Sequence, residues 1–302
     1  MTLTATALRH LPAPAKINLF LHVTGRRLDG YHLIETVFQF IDLCDYLDIE
    51  LRTDGKIMRT SSHAGVSEQS DLCIKAARLL QRHIGTPLGA SIHLTKNIPM
   101  GAGLGGGSSD AATVLIALNK LWSGGLSRPA LARIGLRLGA DVPVFVMGRN
   151  AYATGIGEKL RPLTLPARTL VVVKPAAHVP TLAIFGASEL TRNTKPIKIE
   201  GFAKSARLLP GRNDLEPIAA GRFLPVKKAL VAMRAIATRH GLKPSCVRMS
   251  GSGACVFMLL DQPVTESDGQ IISHQIKQEI SEQRLGKVFV ATSLLKHPLL
   301  ML

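Results

Sequence analysis

Strict alternation opens the hydrophobic pattern. Over residues 16–23, Lys-Ile-Asn-Leu-Phe-Leu-His-Val puts Ile17, Leu19, Leu21 and Val23 on one side, the period of a half-buried strand. A turn at 24–30 and apolar runs at 36–41 and 46–51 extend this into an antiparallel meander. Helical spacing then takes over: Leu72, Ala76, Leu79 and Leu80 follow Ser70, which reads as the N-cap, and Gly85 reads as the stop. Residues 91–98 alternate again, and Val114, Leu115, Leu118, Leu121 and Trp122 form the apolar face of a second helix. Ser127 caps a third, with Leu131, Ile134 and Leu138 inward and Gly139 ending it. A proline-bearing join at 161–166 marks a domain boundary, giving units 1–162 and 163–302. The second unit predicts a strand at 169–174, a helix at 224–240, strands at 245–249 and 254–260, a helix near 266–283 and a strand near 287–294. Meanders and helices are mixed rather than strictly alternating, so the fold class is α+β.

Between the 91–98 strand and its helix lies Pro99-Met-Gly-Ala-Gly-Leu-Gly-Gly-Gly-Ser-Ser-Asp110, with glycines at 101, 103, 105, 106 and 107. No helix or strand interior tolerates glycine at that density. Ser108, Ser109 and Asp110 suit the start of the helix behind it. A glycine turn feeding a helix N-terminus points backbone N–H groups into one concavity, where the helix dipole also favours an anion. The loop is therefore a candidate phosphate cradle; the alternative is a tight turn without a ligand, which one or two glycines would serve. Gly101-x-Gly103-x-x-Gly106 fits the dinucleotide fingerprint only formally. The strand before it alternates, and the window near residue 130 holds Arg128 and Arg133 and no acid. It is not a P-loop either, since no lysine follows before Lys120.

Composition bounds these readings. The chain has 302 residues, 46% hydrophobic and 19% charged, a globular composition with room for a large core. No apolar run reaches the length of a membrane span, and residues 1–10 lack the pattern of a signal peptide. Cys44, Cys73, Cys246 and Cys255 are scattered, as expected of reduced thiols in a cytoplasmic protein. Of the formal charge of +16, residues 161–248 carry 16 Lys/Arg against Glu189, Glu200, Asp214 and Glu216, so 16 − 4 = +12. That basic stretch is a solvated surface, a site for an anionic small molecule, or a nucleic-acid surface.

Asp141 follows a helix stop in an apolar neighbourhood, as a cap or turn residue or as a placed base. Lys16 starts an apolar strand and, taken alone, reads as a snorkelling strand end. Together they would make a working pair, because a cation beside a carboxylate favours its proton-accepting form. Tyr31, His32 and Phe185 stand next to turns and are candidates for stacking on a base or for ordinary packing. With three tyrosines and nine phenylalanines, an array of RNA-stacking aromatics is not expected.

Three stretches resemble, in order, the three motifs of the GHMP small-molecule kinases: Pro14-Ala-Lys-Ile-Asn-Leu19, the loop Pro99–Ser109, and Ser250-Gly-Ser-Gly-Ala254. Residues 24–32, 139–145 and 180–185 are similar to the branch that acts on a cytidine-diphosphate-linked methylerythritol, and the resemblance spans about residues 12–260. It implies an N-terminal domain of the ribosomal-protein-S5 second-domain type and a ferredoxin-like C-terminal domain. It also implies transfer of the ATP γ-phosphoryl group, with Mg²⁺, to the 2-hydroxyl of that substrate. Asp141 matches the base, Lys16 its partner, Asn18 a residue holding substrate hydroxyls, and Pro99, Met100, Gly101, Ala102, Gly103, Leu104, Gly105, Gly106, Gly107, Ser108 and Ser109 the ATP loop. Tyr31, His32 and Phe185 match a cytosine pocket, and Thr181 a residue beside the substrate's diphosphate and erythritol. Asp110 departs from the pattern's usual asparagine, as a helix-start carboxylate or a Mg²⁺ holder, and Ser250 and Ser252 replace threonines. The implied partner is a small molecule, with no nucleic acid or membrane, acting on a monomer or weak homodimer. An RNA-binding protein would need neither the loop nor Lys16 with Asp141, and kinases of homoserine or mevalonate would need no base pocket.

Overall fold

The computed structural model describes residues 6–61, 67–197, 211–260 and 266–302. Two sheets organise them. The first pairs two long antiparallel strands, β1 (Ala7–Arg26) and β2 (His32–Arg52), with β3 (Ile57–Arg59), β4 (Gly89–Thr95), β5 (Ala151–Thr154) and β6 (Lys159–Pro162) completing it. The runs expected as separate strands at 36–41 and 46–51 are one strand. β-bulges absorb the register breaks that the polar interruptions suggested, and two of them, at Pro14/Ala15 and Asn18/Leu21, bracket Lys16 and Asn18. Bulges of this kind re-aim side chains.

Four helices cover this sheet: α1 (Leu72–Ile84), α2 (Gly106–Leu121), α3 (Arg128–Leu136) and the short α4 (Val142–Met147). The N-cap of α1 is Asp71, which accepts from the Cys73 N–H, rather than Ser70. Ser70 instead donates its hydroxyl to the Ser67 carbonyl. Ser127 does cap α3, accepting from the Ala130 N–H, but α3 ends at Leu136, before Gly139. α2 begins at Gly106 with Gly105 as N-cap and no capping side chain, so Ser108 and Ser109 lie inside its first turn instead of before it.

The second sheet is antiparallel, in the order β10 (Lys287–Thr292), β7 (Thr169–Lys174), β9 (Val256–Leu260), β8 (Val247–Met249). With α7 (Leu224–Arg239) between β7 and β8, and α8 (Glu266–Glu282) between β9 and β10, this is the βαββαβ ferredoxin-like order that was expected. The small α5 (Thr181–Phe185) and α6 (Glu216–Arg222) lie on the β7–α7 connection.

β1 is buried on both faces rather than one. Ile17, Leu19, Leu21 and Val23 join the core that includes the second sheet, and Lys16, Asn18 and His22 are also under 6% exposed. The strand is packed between the glycine-loop side and the C-terminal half, so most of its polar atoms are cut off from bulk water and are paired within the protein. All four cysteines are free and buried, as expected. Among the described residues no helix is long and apolar enough to cross a membrane.

Candidate active site

The glycine loop is held from both sides. From β1, the Lys16 N–H donates to the Leu104 carbonyl at 2.9 Å. From the turn between β8 and β9, the Cys255 N–H donates to Ala102 O at 3.1 Å and the Ser250 hydroxyl to Gly103 O at 2.9 Å. Ala102 and Leu104 are buried as apolar anchors, while Met100 is exposed. Gly103 has φ +72°, and a Cβ there would overlap the Ser250 carbonyl oxygen. Gly105, also at φ +72°, packs within 3.1 Å of the Lys16 side chain and 3.0 Å of Phe145 at its Cβ position. Glycine is required at these two points because the second glycine turn and Lys16 pass so close.

Lys16 is the centre of the arrangement. Its ammonium donates to Asn18 Oδ1 at 2.7 Å and Gly103 O at 3.2 Å, and lies 3.2 Å from Asp141 Oδ2. Three acceptors match its three N–H bonds, and the Phe38 ring closes a further side with its centroid 5.3 Å away. The structure therefore brings together Lys16, Asn18 and Asp141 from distant parts of the chain. Asp141 occupies the N-cap position of α4 but caps nothing; its side chain is one-third exposed and turned to Lys16. Asn18 donates its side-chain N–H to the Thr36 hydroxyl at 2.9 Å, which fixes its Oδ1 toward Lys16.

Two cavities adjoin across the loop. One, of about 540 Å³, is lined by residues 99–108 together with Ser70, Leu72, Lys96 and Asp110. The other, of about 320 Å³, is lined by Lys16, Asn18, Asp141, Phe185, Ser252 and neighbours. Gly101, Gly103, Gly105, Ser108 and Thr181 line both. The uncapped first turn of α2 supplies N–H groups at this shared wall. Ser109 is fully buried and lines neither cavity.

Thr181 meets the Ser252 hydroxyl at 2.9 Å, joining α5 to the second glycine turn. The His32 and Phe185 rings lie 5.0 Å apart, tilted by 36°, while Tyr31 stands exposed beside them. Burial first, then the charges of Arg192 and Arg26, hold His32 below its ordinary pKa.

Four residues here carried no sequence signal. Lys96 bridges Asp45 and Asp110, reaching Asp110 Oδ2 at 2.8 Å, while Asp45 Oδ1 accepts the N–H groups of Asn97 and Ile98 at the loop's entry. Asp110 is thus a partner of Lys96, and burial pushes its carboxyl well above the ordinary carboxylate range. Asn213 donates to the carbonyls of Met249 and Gly251, fixing the second glycine turn. Arg192 donates to His32. Each lies far in sequence from what it holds, so only the fold reveals it.

Residues 71–149 match the model of the GHMP kinases N terminal domain, a span from the α1 cap past Asp141. The chain belongs to the GHMP kinases. A 4-diphosphocytidyl-2-C-methyl-D-erythritol kinase from Cupriavidus taiwanensis is 54% identical over 83% of this chain and 84% of its own length. One from Aromatoleum aromaticum is 48% identical over 99% and 98%. A solved 4-(cytidine 5'-diphospho)-2C-methyl-D-erythritol kinase is 35% identical, with a TM-score of 0.77 over 93% of this chain and 98% of that one. Within the GHMP kinases, the chain belongs to the 4-diphosphocytidyl-2-C-methyl-D-erythritol kinase family. A homoserine kinase from Cytophaga hutchinsonii shares the fold, at 14% identity and a TM-score of 0.70 over 98% of this chain and 97% of that one.

Proposed function

We propose that this chain transfers the γ-phosphoryl group of ATP to the 2-hydroxyl of 4-(cytidine 5'-diphospho)-2-C-methyl-D-erythritol, a step in making isoprenoid precursors outside the mevalonate route. The observation that carries the reading is the placement of the Lys16–Asp141 pair in one of two cavities that share the glycine loop as a wall. ATP takes the larger cavity, with its phosphates on the loop and the N-terminus of α2. The acceptor takes the smaller one, with its hydroxyl at Asp141. Phosphoryl transfer leaves the protein mostly positioning and charge neutralisation to perform. Asp141 accepts the hydroxyl proton, Lys16 balances the charge that develops there, and Asn18 orients the acceptor. His32 and Phe185, with Tyr31, take the cytosine, and Thr181 lies beside the diphosphate and erythritol.

Mg²⁺ fits this site as an ion carried in by the nucleotide. Among the described residues no cluster of three His, Cys, Asp or Glu could cage a metal, and the Asp110 carboxylate is committed to Lys96. The Ser108 hydroxyl, which lines both cavities, would hold it together with the phosphates, and it would supply neutralisation of phosphate charge.

We further propose that the protein works as a monomer or weak homodimer in the cytoplasm. We also read residues 1–162 and 163–302 as its two units; β6 ends at Pro162 and β7 starts at Thr169, although β1 lends its apolar face to the second core. The test is ADP release from Mg-ATP with the cytidyl substrate, set beside homoserine and mevalonate. Turnover without preference for the cytidyl compound overturns the assignment.

A further inference from the structure

Arg192 uses every nitrogen of its guanidinium. Nη2 donates to the carbonyls of Phe185 at 3.3 Å and Ala187 at 2.6 Å, Nη1 to Leu190 O at 3.0 Å, and Nε to His32 Nε2 at 3.1 Å. A guanidinium has only donors and stays charged. His32 Nε2 is therefore the acceptor, and a neutral imidazole has only one other place for its proton, Nδ1. Among the described residues Nδ1 has no protein partner, so it is the nitrogen free to meet a ligand. Two cations face the ring, Arg192 from the segment after α5 and Arg26 from β1, and with burial they oppose a second proton. The ring is held in one tautomer and one charge state.

Resting on the cytidyl reading above, we propose that Arg192 makes this pocket select cytosine over uracil. By donating to His32 Nε2 it fixes the proton on Nδ1, which then presents a donor that cytosine N3 accepts and the uracil N3–H repels. Were the ring free to exchange tautomers, its unprotonated nitrogen would accept the uracil N3–H and the two bases would be told apart poorly. Arg192 is a positioning residue, acting through His32. The three carbonyl bonds place it rigidly, and because they come from the turn that follows Phe185 they tie the tautomer to the stacking ring itself.

The test begins with nitrogen-15 spectra of the His32 ring in the unmodified protein without substrate, where a protonated Nδ1 and a bare Nε2 are expected. CDP should shift the Nδ1–H resonance, and UDP should bind at least about tenfold more weakly, the scale of one mismatched buried hydrogen bond. Arg192→Met should lower the ratio of kcat/KM for the cytidyl substrate to that for its uridyl analogue by about tenfold or more. The change should lie mainly in KM, and the ring spectrum should show a mixture of tautomers. Arg192→Lys, which keeps a charged donor, should retain most of the ratio. A wild-type ring protonated at Nε2, equal CDP and UDP affinities, or an unchanged ratio in an Arg192→Met protein with a released tautomer would each overturn the proposal. Failure of the cytidyl reading shows separately, as wild-type enzyme without preference for the cytidyl substrate over homoserine and mevalonate.

Discussion

Asp141→Asn separates chemistry from architecture more cleanly than any other change at this site. Asparagine keeps the volume and one acceptor oxygen but cannot take a proton. No cap is lost, because the Asp141 side chain caps nothing on α4. Lys16 keeps Asn18 Oδ1 and Gly103 O, and the ion pair it gives up is with a side chain one-third exposed. Solvent screening at that exposure limits the stability cost to about 1 kcal/mol or less. A placed general base contributes about 10²–10⁴ in rate, about 3–5 kcal/mol of barrier.

The expected result is a kcat lower by that factor, a KM for ATP nearly unchanged because Asp141 does not line the larger cavity, and a melting temperature close to wild type. Coupled ADP release and thermal melting measure all three. Lys16→Met is the contrasting variant: it removes the donor to Gly103 O and so disturbs the loop, raising the ATP KM as well as lowering kcat. On the proposed roles, in which both residues act on one transferring group, the double variant should lose far less than the sum of the two barriers. A folded Asp141→Asn enzyme with wild-type kcat would refute the base assignment outright.

Three further outcomes follow from packing and charge. Gly103→Ala should cost several kcal/mol in stability or, if folded, most ATP binding, read by melting and nucleotide titration, because its Cβ overlaps the Ser250 carbonyl at a positive φ. His297 is buried, and desolvation followed by the Arg128 charge pushes its pKa down to about 3 from 6.5. Below about pH 6.5 the unfolded ring binds a proton that the folded ring refuses, so stability falls with pH by up to about 1.4 kcal/mol per unit in that window. His297→Asn, which can still accept from the Leu299 N–H, should flatten that acid-side loss in melts across pH. Asp110 has the opposite sign: its raised carboxyl pKa costs stability as pH climbs above the ordinary carboxylate range. Asp110→Asn should therefore melt no lower than wild type above about pH 8 and show a flatter pH dependence between about pH 4 and 8.

The strongest apolar signals were legible: the continuous run of β7 at Thr169–Lys174, the helical spacing of α7 and the βαββαβ order of the second half. So was the glycine turn that leads into α2, because glycine density is a local signal. Ends and mergers were not. The N-cap of α1 moved from Ser70 to Asp71 because Asp71, besides capping, also pairs with Arg59, and β2 runs through positions where polar residues suggested a break. Beyond the strand near 287–294, no element was predicted for the C-terminal residues. Its backbone is nonetheless structural: Arg128 reaches the Leu299 and Leu300 carbonyls, Asn150 the Leu294 carbonyl, and the His297 N–H the Gly148 carbonyl. Those bonds brace the far end of α4, the helix that begins after Asp141.

The basic stretch illustrates how composition misleads until partners are known. The +12 over residues 161–248 left an anionic ligand, a nucleic acid and a solvated face equally open. In the fold, Arg192 and Arg222 both tie carbonyls of the five-residue α5, at Phe185 and Ala183. Arg248 holds the Leu19 carbonyl of β1, Lys174 those of Pro175 and Ala177, and Arg212, Arg234 and Arg239 pair with Asp214, Glu216 and Glu279. A surface that reads a phosphate backbone needs cations free to exchange counterions for phosphates. Seven of the sixteen cations are tethered in this way and serve the framework. α5 is too short to hold its own geometry by helical hydrogen bonding. Two guanidiniums supply the fixed points, and Thr181 at one end and Phe185 at the other inherit their positions from them.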